Sequence, residues 1–293
     1  MEYHICSDGA CDLLKEYTEP NNVHIVPFYV SFDGDNYVKE GVGIDHDEFY
    51  RRMAENHEVP KSSLPSTIDY VEAFIPFVEK GDAIICMTIT EKFSGSYNSA
   101  CLAREQVLED YPDAKISIID STLNTMSQAL LVYTAVELKN KGIGYEECVS
   151  MLEDVKSTGK IFFTVGSLEY LIKNGRIGKL ATVAGDKLGI QPIIIMQDGD
   201  ISFGGASRSR KKAKTMVINQ LNKFFTKNNI DPKDYLFLVG TGFQLEEAEL
   251  WEKDIEEALS IKVRHIPSRI GTTIGCHTGP YPLGCAILKN IID

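Results

Sequence analysis

The stretch Ala83-Ile-Ile-Cys-Met87, running on into Thr88-Ile-Thr-Glu-Lys-Phe-Ser94-Gly95-Ser96-Tyr97-Asn98-Ser99, decides the fold class. Five apolar residues without alternation describe a strand covered on both faces, the usual condition of a parallel sheet. Polar residues end that strand, and Tyr97 to Leu108 then reads as a helix. Toward the N-terminus, Tyr3 to Cys6 is a strand ending at Ser7-Asp8-Gly9, and Val23 to Val30 is a second. Asp45, with Glu48 three residues on, starts a helix toward Met53. Thr67 caps another, in which Ile68, Val71, Ile75 and Val78 recur at helical spacing. Toward the C-terminus, Ile116 to Ile119 is a short strand, and Met126, Leu130, Tyr133 and Val136 mark a long helix closed by Gly142. Strands alternating with helices predict an α/β fold whose N-terminal sheet is mostly parallel, with helices on both faces.

Beyond residue 160 the pattern changes. Ile161 to Val165 reads as a strand, and Ser167 to Asn174 as a short helix stopped by Gly175. Gln191 to Met196 and Ile201 to Phe203 flank Asp198-Gly199, a strong hairpin signal. Helices follow at Arg210 to Phe225 and Glu246 to Leu259, and strands at Tyr235 to Val239 and Val263 to Ile266. A hairpin among helices predicts a mixed sheet. The expected organisation is an N-terminal α/β domain over 1–160 and a C-terminal α/β domain over 161–293, packed closely without a flexible linker.

The chain has 293 residues, 43% hydrophobic and 25% charged, with a formal charge of −12. That field repels phosphate backbones and argues against nucleic acid as a partner. No basic segment followed by an apolar run opens the chain, and the apolar run at Ile193 to Met196 is far too short to span a membrane. A soluble, cytoplasmic protein is expected. Seven cysteines without a C-x-x-C pair argue for reduced thiols over zinc or disulfides. Neither a Walker-type loop nor metal-ligand spacing is found, so no cofactor or metal is expected.

Four segments carry candidate chemistry. Ser94-Gly95-Ser96 follows a buried strand and enters a helix, where free N–H groups and two hydroxyls suit a carboxylate or phosphate; either serine reads equally well as a helix cap. Lys61-Ser62-Ser63-Leu64-Pro65-Ser66 is a second hydroxyl-rich loop. Gly271-Thr-Thr-Ile-Gly275-Cys-His277-Thr278-Gly279-Pro280, with its three glycines, suggests a tight turn placing an imidazole beside a ligand. Asn174-Gly175-Arg176-Ile177-Gly178 puts a guanidinium between glycines, aimed at an anion or at solvent. Arg208, Arg210 and Lys212 form a basic face that is either solvated surface or a docking patch.

In this order, together with Asp120-Ser121 and Arg210-Lys-Lys-Ala213, these segments resemble the DegV family of bacterial fatty-acid-binding proteins over almost the whole chain. The resemblance implies a long-chain fatty acid buried between two α/β domains. Its carboxylate would be held by Ser62, with Ser63 able to share the role, and by Ser94. Gly95, Ser96 and Thr278 would stand beside it, and His277 and Arg176 near the head group. The family pattern has threonine where Ser62 and Ser96 stand, and glutamine at Leu64. The resemblance also implies a non-enzymatic carrier in phospholipid metabolism. A separate ATP-dependent fatty acid kinase would convert the presented carboxylate to an acyl phosphate. It implies no membrane span and leaves room for transient membrane contact. Two other readings use the same residues: an acyl hydrolase with Ser94 as nucleophile and His277 as base, and a carrier of a small phosphorylated anion.

Overall fold

Every residue of the strand Ala83–Thr88 is buried, as a strand covered on both faces requires. The computed structural model describes residues 2–182 and 189–293. Its strands, in chain order, are β1 (Tyr3–Asp8), β2 (Val23–Val26), β3 (Tyr29–Ser31), β4 (Val38–Lys39), β5 (Lys61–Ser63), β6 (Ala83–Thr88), β7 (Ile116–Asp120), β8 (Lys160–Thr164), β9 (Gln191–Gln197), β10 (Asp200–Ser207), β11 (Tyr235–Thr241) and β12 (Leu283–Lys289). The helices are α1 (Lys15–Thr18), α2 (His46–Asn56), α3 (Thr67–Val78), α4 (Ser96–Asp110), α5 (Thr125–Asn140), α6 (Tyr145–Val155), α7 (Glu169–Lys173), α8 (Arg210–Asn228), α9 (Leu245–Leu259) and α10 (Thr272–Thr278).

The fold is α/β. A parallel sheet runs in the order β2-β1-β6-β7, and a five-stranded sheet in the order β10-β9-β8-β12-β11. In the second sheet all four pairings are antiparallel, so the expected hairpin character extends across it and the sheet is not mixed. Side chains of β6 sort by parity. Ile84 and Cys86 face Tyr70 and Phe74 of α3 and Ala103 of α4, whereas Ile85 and Met87 face Leu130 and Leu131 of α5. On β12, Cys285 and Ile287 pack against α8 and α9, and Ala286 and Leu288 turn to the α5 side. Helix α5 is therefore sandwiched between the two sheets, with twelve of its sixteen residues buried. Such all-round burial explains why its apolar residues do not keep to one stripe.

Several expectations are corrected. The strand expected over 23–30 divides at Pro27, which has no N–H to offer a ladder. Its first part stays in the parallel sheet, and its second joins a small sheet of order β4-β3-β5. The cap of α3 is Ser66 rather than Thr67: the Ser66 hydroxyl accepts from the Asp69 N–H (3.2 Å), and the Asp69 carboxylate accepts from the Ser66 N–H (2.8 Å). The segment Val263 to Ile266 makes no ladder and attaches through Arg264 N–H to the Phe237 carbonyl at 2.8 Å. The tight turn expected before Gly279 is helix α10, ended by Gly279 at φ 77°.

α10 packs closely on α2 because residue 275 is glycine. A Cβ there would meet Phe49 Cε1 and Tyr50 Oη at 2.8 Å, and Tyr50 is fully buried with its hydroxyl on the Ile270 carbonyl (2.7 Å). Gly275→Ala should therefore lower unfolding free energy by about 1–3 kcal/mol in urea titrations, the usual cost of overpacking.

Candidate functional site

In open α/β sheets, ligands bind beyond the C-terminal ends of the strands where the strand order reverses. Here the chain leaves β1 for β2 on one side and returns to β6 on the other, so the reversal lies between β1 and β6. Asp8 ends β1 at that point and is completely buried. One carboxylate oxygen accepts from the Ile89 N–H (2.9 Å) and the Ser96 hydroxyl (2.7 Å), and the other from the Gln128 amide (2.8 Å). Tyr70 and Ser96 hydroxyls meet at 2.6 Å. Burial pushes the Asp8 carboxyl up to about 6, against the pull of these hydrogen bonds. The network fixes the start of α4 and hence the loop that presents Ser94.

That loop borders a cavity of about 220 Å³. Ser62 and Ser63 enter it from β5, Ser94 from the loop before α4, His277 and Thr278 from α10, and Arg176 from the turn after α7. Apolar lining comes from Phe28, Ile89, Phe93, Phe163, Leu171 and Ile274. The Ser62 hydroxyl lies 3.2 Å from His277 Nε2, which ties β5 to α10 across the mouth. His277 Nδ1 is buried and has no hydrogen-bond partner among the described residues. Burial, then the Arg176 charge, pushes this imidazole down to about 4, so it is neutral near pH 7. Arg176 donates from Nε to the Phe93 carbonyl (2.8 Å) and from Nη1 to the Asn174 carbonyl (3.0 Å), which aligns its guanidinium beside the Ser94 loop.

Six of the residues expected from sequence thus line one cavity. Gly95 and Ser96 do not: Gly95 faces Leu64, and the Ser96 hydroxyl is committed to Asp8 and Tyr70. The Ser94 hydroxyl accepts from the Ser96 N–H at 3.2 Å. Of the basic face, Arg210 is bound to Glu247 (2.8 Å) and the Tyr281 carbonyl (2.9 Å), which leaves Arg208 and Lys212 exposed. Among the described residues no group of three or more His, Cys, Asp or Glu is placed to hold a metal, and no helix is long and apolar enough to cross a membrane.

Two contributors were not anticipated from sequence. Glu40 holds the start of α10, accepting from the Thr272 hydroxyl (2.8 Å), the Thr273 N–H (3.1 Å) and the Thr273 hydroxyl (3.0 Å). Asn124, just before α5, lines the cavity. Neither has a sequence signal stronger than that of an ordinary loop residue.

A family model described as "Uncharacterised protein, DegV family" matches residues 2–290. The chain belongs to the DegV family. A DegV domain-containing protein of Clostridium perfringens is 31% identical over 283 residues, covering 95% of this chain and 94% of that one. Among solved DegV-like structures, a stearic acid-binding protein from Eubacterium ventriosum shares 46% identity at a TM-score of 0.93, covering 98% of each chain. A fatty-acid-binding DegV protein from Thermus thermophilus, 22% identical, shares the fold at a TM-score of 0.86, over 99% of this chain and 100% of that one.

Two measurements test the site's architecture. Ser96→Ala removes a donor from buried Asp8 and the partner of Tyr70, and should cost about 1–3 kcal/mol in chemical denaturation, whereas Ser94→Ala should cost much less. For His277 the folded pKa lies below the ordinary 6.5, so the unfolded chain takes up the proton first. The stability from keeping His277 neutral is complete above about pH 6.5 and is lost as pH falls toward 4. The stability difference between wild type and His277→Asn should shrink in favour of the variant across that window, measured by urea titration at each pH.

Proposed function

We propose that this DegV protein is a carrier for a long-chain fatty acid. The observation that carries the reading is the cavity itself, which brings Ser62, Ser94 and neutral His277 together with apolar side chains such as Phe28, Ile89 and Phe163. The stearic acid-binding relative at 46% identity supports the same ligand class. Burying each methylene is worth about 0.8 kcal/mol, so a sixteen-carbon tail offers on the order of 10 kcal/mol before association costs. Affinity comes from the tail, while hydroxyls hold the carboxylate, which would otherwise be buried unpaired. The cavity is smaller than the roughly 300 Å³ at which small-molecule pockets begin, so a long chain displaces wall side chains as it enters.

The carboxylate sits on Ser62 and Ser94, with Ser63 and Thr278 beside it and Arg176 supplying positive charge from the rim. Hydrogen bonds from hydroxyls leave the carboxylate oxygens nucleophilic, which suits presentation to a separate cytoplasmic ATP-dependent kinase that forms the acyl phosphate. Arg208 and Lys212 are the exposed cations of the candidate docking face. The hydrolase reading draws less support: His277 pairs with Ser62 rather than Ser94, its Nδ1 meets no carboxylate among the described residues, and an imidazole held near 4 is a weak base.

Native mass spectrometry of freshly purified protein, with organic extraction of the ligand, tests the carrier reading. Long-chain fatty acid should be present and should fall severalfold in a Ser62→Ala/Ser94→Ala double variant. Protein that remains empty when offered fatty acid would overturn it. In a reconstitution with the kinase, Ser94→Ala should lower acyl-phosphate production at least tenfold.

A further inference from the structure

Asn124 is the one carboxamide lining the cavity among the described residues, and its environment is unusual. Asparagine before a helix ordinarily caps it through its side chain, yet at the start of α5 the Asn124 side chain makes no cap bond. Its Oδ1 is buried without a hydrogen-bond partner among the described residues. The backbone on either side is held in costly conformations: Thr122 has φ 55° and Thr125 φ 40°, both β-branched residues at positive φ. Neighbouring bonds maintain this shape. The Asp120 carboxylate accepts from the Thr122 N–H (3.0 Å), the Ser121 hydroxyl from the Leu123 N–H (3.0 Å), and the Leu123 carbonyl from the Thr90 N–H (2.9 Å). This last bond joins the loop after β7 to the loop after β6, next to Ile89, which lines the cavity as do Phe163 and Ile201.

We propose that Asn124 is a chain-specificity residue and that the preferred ligand is a long-chain fatty acid bearing a hydroxyl group on its acyl chain. The inference rests on the fatty-acid reading of the same cavity. A carboxamide offers one acceptor and two donors, and the buried acceptor calls for an O–H. A hydroxyl can donate to Oδ1, whereas a plain methylene chain leaves that acceptor unpaired. An ionised carboxylate has no O–H to give to Oδ1, so the donor it calls for lies elsewhere on the ligand.

The test is competition binding, followed by native mass spectrometry, between stearic acid and a panel of hydroxystearic acids differing in hydroxyl position. Wild type should bind at least one hydroxylated isomer on the order of tenfold more tightly than stearic acid, as expected for satisfying one buried polar group. Asn124→Leu should reverse that order and bind stearic acid severalfold more tightly than wild type does. Asn124→Ser, a smaller change read against thermal melts, should give an intermediate ratio and covers the case in which the leucine variant fails to fold. If wild type binds stearic acid at least as tightly as every hydroxylated isomer, the specificity proposal is wrong and the carrier reading survives. If wild type takes up no fatty acid of either kind, the carrier reading itself falls, and this proposal with it.

Discussion

The buried Asp8 carboxylate is the constraint on which the arrangement depends. A carboxylate taken from water costs several kcal/mol unless its lone pairs are filled. Here its donors come from three different places: the main chain leaving β6, the first residue of α4 and the first turns of α5. Meeting that demand forces the strand end, both helix starts and the Ser94 loop into a single geometry. The pKa raised to about 6 shows that the compensation is incomplete. The carboxyl therefore favours the folded state most when protonated and loses that advantage as pH rises from about 4 to 6.

Ser94 and Ser96 illustrate a division of labour within one tripeptide. Both are serines before or at a helix start, and local sequence treats them alike. The structure separates them, since the helix turns the Ser96 hydroxyl inward to Asp8 and leaves Ser94 at the cavity edge. Glycine between them carries no side chain to intrude on Leu64.

Much of the fold was legible because burial on two faces leaves a visible mark. The run at 83–87 reads as a covered strand, and Asp198-Gly199 reads as a hairpin turn, with both residues at positive φ. β12 was not expected although Leu283 to Leu288 is as continuous and buried as β6; Gly279-Pro280 and Pro282 just before it carry a turn signal that masks the strand start. Division of 23–30 at Pro27 needed knowledge of which sheet each half would join, and that depends on contacts distant in sequence. Of the site, the hydroxyls, imidazole and guanidinium were found through motifs. Glu40 and Asn124 were not, because their roles come from tertiary placement: Glu40 reaches α10 from more than 230 positions away, and Asn124 gives up capping for the cavity.

Helix α5 has one more consequence. Its two opposite sides are each the inner lining of a different sheet, so neither half of the chain possesses a complete core without it. Removing the five-stranded sheet would strip Met126 of the cover it has against Gly240 and Gly284 and expose an apolar helix face, the kind of surface that drives aggregation. The two sheets are thus bound to melt as one cooperative unit.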